Sequence, residues 1–398
     1  MNADPLPALP RAAEMKKPVE HLAFLDQLRG AAILAVAVYH ALDESFGFDE
    51  LKWHGLVRDF NVSRLYLFLL PASWGFLGVS IFFVISGFCI HLSHARSQEP
   101  TFGTFFIRRF FRIYPPYLVC LVLFSFVYPW QRIDFQPGQG IAQFASHLAL
   151  FHNLDARYFY GINPSFWSIA VEVQLYLLYP LLWCYARRHG WRRTLAITAV
   201  IEFTIRVAGA IHLIAFPDTM LPRWVTDSPL AFWFSWCLGA AVADGYLKQH
   251  LPTVRRRTLV LLAGGTLAVY FLKPATVFMF PLAALFTAGL ITNRLARAQS
   301  PAGPPVSRWP WRVLSKLGFV SYSFYLLHQP LLGLVPRMLK RLSPGTSHHL
   351  VCFVGCLAAI GPIYLISKLF YRGVEMPSIS AGKWFIKKQR VSLPNPSH

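Results

Sequence analysis

From position 22 to about 371, long apolar stretches alternate with short polar or aromatic ones. Ten windows stand out, at approximately 22–42, 65–92, 113–130, 165–186, 194–215, 228–247, 258–273, 276–293, 317–336 and 350–371. Each approaches or exceeds the roughly 20 residues with which an α-helix crosses the hydrocarbon core of a bilayer. The pattern predicts an all-α polytopic membrane protein with about ten transmembrane helices. Aromatic clusters at window ends, "WHGLVRDF", "YFYG" and "SRWPWR", fit the interfacial belts that flank such helices. The opening segment, 1–21, is polar and proline-rich. No small-residue cleavage site follows the first apolar run, so the first helix is expected to stay in the mature protein. The longest connection, 131–164, is too short for a soluble domain of useful size, so any chemistry is expected in or at the membrane.

Composition agrees, with 55% hydrophobic and only 14% charged residues. Charge adds orientation, because retained Lys and Arg mark the cytoplasmic side. Assigning the N-terminus and alternate loops to one side places 25 of the 38 basic residues there and 10 on the other. Both termini are therefore predicted to be cytoplasmic, giving a cytoplasmic segment 1–21, a membrane domain 22–377 and a basic cytoplasmic tail 378–398. The expected location is the inner (plasma) membrane, crossed many times. A net charge of +20 raises nucleic acid as a partner, but the basic residues punctuate membrane windows and form no base-reading module. They suit membrane lipids and a polyanionic cofactor instead. The six cysteines lie in or near apolar windows and are expected to pack in the core. No metal site is expected.

The first window, "LDQLRGAAILAVAVYH", carries Asp26, Arg29 and His40. An ionisable group at membrane depth costs at least ~2.5 kcal/mol, so it normally faces a cavity or a partner. Arg29 and His40 are eleven residues apart, roughly 16 Å along a helix and within about 20° of one face. They are expected to line one wall at two depths, an arrangement suited to a long substrate held at one end and reacted at the other. Asp26 is expected to pair with an arginine or to cap the helix, and Glu202 and Arg206, four apart, to form a structural pair.

Further along come "GVSIFFVISGF" at 78–88, "FFIRRFFRIYPPY" at 105–117, "PSFWSIAVEVQLYLLYPL" at 164–181, "SYSFYLLHQPLL" at 321–332 and "YRGVEMP" at 371–377. In this order, and with Arg29 and His40 separated by ten residues after "LDQLRG", the chain resembles the acyltransferase-3 family of integral-membrane O-acyltransferases over nearly its whole length. The resemblance implies transfer of an acyl group, most often acetyl, from cytoplasmic acyl-coenzyme A to a hydroxyl of a carbohydrate, often a cell-envelope glycan. Some members carry a C-terminal hydrolase-like domain. This chain resembles the stand-alone form.

Chemistry then assigns candidate roles. An alcohol attacking a thioester needs a base near neutrality, which suits His40, and Glu172 is the leading carboxylate to fix its tautomer. Arg109 and Arg112, three apart on one helix face, suit coenzyme A phosphates, which Arg binds bidentately, with Arg29 bracing the donor's arm further in. Ser86 with Gly87 forms a small-residue notch where a helix or a pantetheine arm can approach closely. Tyr322 and Ser323 are candidate donors to the thioester oxyanion, and His328 a contact for donor or acceptor. A small-molecule or macrolide acceptor stays open. So does a different class, a transporter of a small solute or lipid-linked sugar, which buried charges among many helices also describe. The oligomeric state is not encoded in these features.

Overall fold

The computed structural model describes residues 22–51, 67–97, 101–128, 140–298, 309–342 and 348–392. The aromatic cluster at 53–60, the segment 1–21, the first two residues of "SRWPWR" and the end of the tail from 393 lie outside them. Among the described residues all regular structure is helical, and each of the ten apolar windows coincides with helix. Six helical stretches are long and apolar enough to cross a membrane: Leu70–Ala95, Phe102–Val127, Phe166–Ala215, Arg223–Leu247, Lys273–Arg297 and His349–Gln389. The first helix, with its intramembrane charges, is not among these six.

The principal helices are α1 (Ala23–Glu50), α2 (Gly78–Ala95), α3 (Phe102–Val122), α4 (Gly140–Leu148), α5 (Phe166–Ala215), α6 (Trp233–Leu247), α7 (Arg256–Ala268), α8 (Met279–Ala298), α9 (Trp309–Phe319), α10 (Ser321–Leu332), α11 (Leu334–Leu342), α12 (His349–Phe370) and α13 (Met376–Ser392). Local sequence explains where several begin, bend or dock. Thr101 starts α3 by accepting the Thr104 backbone N–H at 3.2 Å. Gly190, at φ +79° and ψ 161°, breaks α5 into two arms and joins the fourth and fifth windows without a loop. Pro115 lacks the N–H that would bond the Phe111 carbonyl one turn back, and Ser378 Oγ from α13 donates to that carbonyl instead. The tail expected from 378 is thus helical through 392 and docks on α3, reached from α12 by a π-turn at Tyr371–Glu375.

Buried charge organises the N-terminal end of α6. Glu202 is fully buried and accepts the Ser235 backbone N–H at 3.0 Å and the Ser235 hydroxyl at 2.8 Å. It thereby satisfies a free donor in the first turn of α6. Arg206 lies 3.6 Å from the same carboxylate, donates to the Ala231 carbonyl and sits over the Phe232 ring, so the expected structural pair is present. Next to it, α2 and α6 approach at a glycine contact: a methyl group on Gly87 would overlap the Trp236 carbonyl oxygen, and one on Gly239 that of Val84. The small-residue notch is therefore occupied by helix packing, which fixes the face that α2 turns toward the site.

Candidate active site

A cavity of about 360 Å³ opens between α1, α2, α3, α5 and α10. Each helix contributes a single face at three- and four-residue spacing: Ser86, Cys89 and Ser93 from α2, Arg109 and Arg112 from α3, Ser168, Glu172 and Tyr176 from α5, Tyr322 and Tyr325 from α10, with Arg29 from α1. Apolar side chains such as Phe82, Phe83 and Ile113 fill the remaining wall.

Three guanidinium groups dominate the electrostatics. Arg29 Nη1 is 2.6 Å from Asp26 and Nη2 donates to Cys89 Sγ at 2.9 Å, so Asp26 neutralises it as expected. Cys89, expected to be core packing, instead lines the cavity and anchors an arginine, because it lies three residues beyond Ser86 on the same face. Arg109 is half-buried, donates to Ser93 Oγ at 3.2 Å and leaves its Nε without a hydrogen-bond partner among the described residues. Arg112 is exposed and sits at the mouth. Among the described residues Glu172 is the one carboxylate in the lining. With Arg29 neutralised by Asp26, Arg109 and Arg112 against Glu172 leave the lining with a net positive charge, the polarity a phosphate-bearing ligand needs.

Glu172 does not supply the partner expected for His40. Its Oε1 accepts from Ser86 Oγ at 2.6 Å and from the Tyr176 hydroxyl, one turn along its own helix face. Ser86 in turn accepts from Trp236 Nε1 at 3.3 Å. This Ser86–Glu172–Tyr176 cluster, with Arg109 opposite, forms the polar centre of the cavity.

His40 itself is not part of the lining. Ala32, Ile33, Val36 and Ala37, between Arg29 and His40, are at most 1% exposed, so packing fills the stretch where a continuous wall was expected. The His40 ring instead packs on His328, with centroids 5.1 Å apart. His328 is fully buried, its Nδ1 lies 2.8 Å from the Tyr325 carbonyl, and its ring is 5.4 Å from that of Tyr325. Tyr325 closes the series: its hydroxyl meets Ser168 Oγ at 2.6 Å and its side chain lines the cavity. Tyr325 and His328 thus stand between the arginine cavity and His40, and His328 belongs beside the candidate base rather than with the arginines.

The two candidate oxyanion donors are engaged elsewhere. Tyr322 lines the cavity, but its hydroxyl donates to the Ile113 carbonyl at 2.7 Å. Ser323, one residue on and therefore turned by about 100°, is fully buried and donates to Glu375 at 2.6 Å. Glu375, on the π-turn, is itself 2% exposed and takes this bond while facing the Arg112 charge. Tyr176, Ser168, Tyr325 and Ser93 were not singled out from sequence, although helical spacing from Glu172, Tyr322 and Ser86 places all four on the right faces. Among the described residues no three His, Cys, Asp or Glu side chains come together as metal ligands.

Fold and site together define a helical, membrane-type protein with a cationic cavity and a histidine pair behind it. A sequence profile of the acyltransferase domain family, acyltransferase-3, matches residues 22–368, and the chain belongs to that family. Its relatives include the peptidoglycan O-acetyltransferase OatA of Listeria monocytogenes, 25% identical over 377 residues that cover 89% of this chain and 55% of the relative. The O-acetyltransferase OatA of Staphylococcus aureus is 26% identical over 311 residues, covering 70% and 50%. The chain spans about half the length of these curated relatives. No solved structure matches it.

Proposed function

We propose that this chain is a membrane O-acyltransferase that moves an acyl group, acetyl in the first instance, from cytoplasmic acyl-coenzyme A to a hydroxyl of a cell-envelope glycan. The observation that carries the reading is the convergence of Arg29, Arg109 and Arg112 on one cavity in a chain of the acyltransferase family. Arg112 at the mouth and Arg109 within it hold donor phosphates, and the acyl-bearing arm reaches along the α2 face past Ser86 toward Tyr325. The names of the relatives supply the class of acceptor. In this reading the chain crosses the inner membrane ten times with both termini, including the basic tail, on the cytoplasmic side, and residues 22–377 form the catalytic domain.

The acceptor hydroxyl oxygen attacks the thioester carbonyl carbon, the carbon–sulfur bond breaks, and coenzyme A leaves as thiolate. His40 takes the proton of the hydroxyl. For the two substrates to meet, the Tyr325–His328 partition between cavity and His40 must shift. Glu172, already inside the cavity with Ser86 and Tyr176, favours a second reading in which a cytoplasmic acceptor enters the donor cavity and Glu172 is the base.

The decisive experiment mixes purified protein with labelled acetyl-coenzyme A and envelope glycan fragments and follows label onto sugar hydroxyls. Thiol release with no labelled sugar, or solute transport with no thioester consumed, overturns the reading. His40→Ala is expected to abolish transfer and to leave donor affinity intact. Loss in Glu172→Gln with full activity in His40→Ala selects the second reading. In sealed inside-out vesicles, external acetyl-coenzyme A is expected to label an acceptor trapped in the lumen, and labelling only of external acceptor refutes the through-membrane path.

A further inference from the structure

The arginine cavity changes character along its length, and helical register gives the depth of each residue. Ser93, bonded to Arg109, and Val79 both line it from α2, fourteen residues and therefore roughly 21 Å of helix apart. Between them the 2.6 Å bond from Ser86 to Glu172 sets α2 and α5 level with each other. Four residues further in from that bond, α2 presents Phe82 and α5 presents Ser168. From α10, Tyr322 is followed one turn on by Tyr325, whose hydroxyl meets Ser168 Oγ at 2.6 Å. Tyr325 therefore belongs to the inner end. The charged and hydroxyl side chains Arg109, Arg112 and Ser93 stand toward the mouth, whereas Val79, Phe82, Phe83 and Ile169 make the inner end apolar.

That inner end is also held from behind. Tyr325, Ser168, Phe83 and Ile169 are all buried. The Phe82 ring meets Tyr325 edge-on with centroids 6.2 Å apart, Phe83 packs on Phe232 at 5.2 Å, and the His328 ring backs Tyr325 at 5.4 Å. Side chains packed on both sides yield little to an added methylene. A cavity with cationic groups at one end and a closed apolar wall at the other matches a molecule built the same way, with phosphates at its head and a short hydrocarbon at its tip.

We propose that Tyr325, together with Phe82, is the gauge of acyl length: the two rings close the inner end so that a donor anchored at Arg109 and Arg112 has room for acetyl and not for butyryl. This rests on the reading of acyl-coenzyme A as the donor. The competing role for Tyr325 is packing alone, and its loss would then weaken every donor alike. A gauge moves the ratio between donors.

The test uses the full chain in lipid nanodiscs, a soluble tetrasaccharide of alternating N-acetylglucosamine and N-acetylmuramic acid, and acetyl-, propionyl- and butyryl-coenzyme A labelled in the acyl group. Label is counted on the sugar, so thioester lost to water does not enter the ratio. Each added methylene is expected to lower the wild-type kcat/KM by about tenfold or more. In Tyr325→Ala the ratio of butyryl to acetyl transfer is expected to rise by at least about tenfold, the reverse of that penalty. Tyr325→Phe keeps the ring and the wild-type order. Phe82→Ala opens the same end from α2 and reads the same ratio should Tyr325→Ala not fold. Comparable use of acetyl and butyryl by wild type overturns the proposal, as does a ratio that neither alanine variant moves. Displacement of labelled coenzyme A by each acyl-coenzyme A is measured in parallel. If wild type labels no sugar with any donor, the transfer reading fails, yet a butyryl affinity that rises relative to acetyl in Tyr325→Ala still supports the gauge. No saturable binding of coenzyme A to wild type overturns the gauge together with the donor reading.

Discussion

Arg109 and Arg112 are three residues apart on one helix, but the structure gives them different surroundings and therefore different expected contributions. Arg109 is half-buried beside Ser93 and Phe105, whereas Arg112 is exposed at the mouth. A charge-assisted hydrogen bond to a phosphate in a partly desolvated site is worth ~1.5–3 kcal/mol. Removing Arg109 as Arg109→Gln should therefore weaken acetyl-coenzyme A binding by roughly 10- to 150-fold. An exposed ion pair contributes about 0–1 kcal/mol and is screened by salt, so Arg112→Gln should cost no more than about fivefold in low salt. Isothermal titration of the detergent-solubilised protein at low and at near-molar ionic strength separates the two. The Arg109 deficit persists at high salt and the Arg112 deficit shrinks toward nothing. Equal, fully salt-sensitive losses would mean that both act as surface charge, and unchanged affinity in both would remove the phosphate reading altogether.

Replacing Gly87 by Ala drives a methyl group into the Trp236 carbonyl of α6, so a fall of several degrees in thermal midpoint is expected in a fluorescence melt, and an unchanged midpoint refutes the contact. Tyr176→Phe removes one of the two hydroxyls on Glu172 and should cost about 1–3 kcal/mol in denaturant unfolding, with no loss sinking the cluster as a structural unit. Outside the apolar windows, burial pushes the His147 imidazole from the ordinary 6.5 down to about 4, against the opposing pull of the Gln143 and Gly161 carbonyls. Because the unfolded chain then binds more protons, the stabilisation is complete above pH 6.5 and is lost as pH falls toward 4. A melt series from pH 7 to 4.5 should show a flatter acid limb for His147→Gln, and parallel curves refute the assignment.

How far the sequence carried this picture depends on whether a feature is set by one helix or by several. Long apolar windows are local, and helix appears in each. Asp26 with Arg29, and Glu202 with Arg206, are spaced for a shared helix face and pair as that spacing predicts. Arg29, Ser86, Arg109, Arg112, Glu172 and Tyr322, each a sequence candidate for a different role, come together on the faces that five helices turn inward, a grouping that spacing within one helix does not give. What sequence could not decide is which of two neighbouring side chains points into the space between helices. Ser323 and Tyr322 differ by one residue, yet one is spent on Glu375, some fifty positions away, and the other faces the cavity. His40 is the larger case. Its distance from Arg29 is fixed by α1, but the barrier between them is built from α10 and α5 through Tyr325 and Ser168. That barrier separates His40 from Glu172, and the proposed reading has the acceptor reach His40 from its far side. On the proposed reading, keeping the base out of the donor cavity protects the thioester from water until an acceptor arrives. Leu or Ala at Tyr325 should therefore raise thiol release in the absence of glycan, and an unchanged background rate would show that Tyr325 is packing and not a partition.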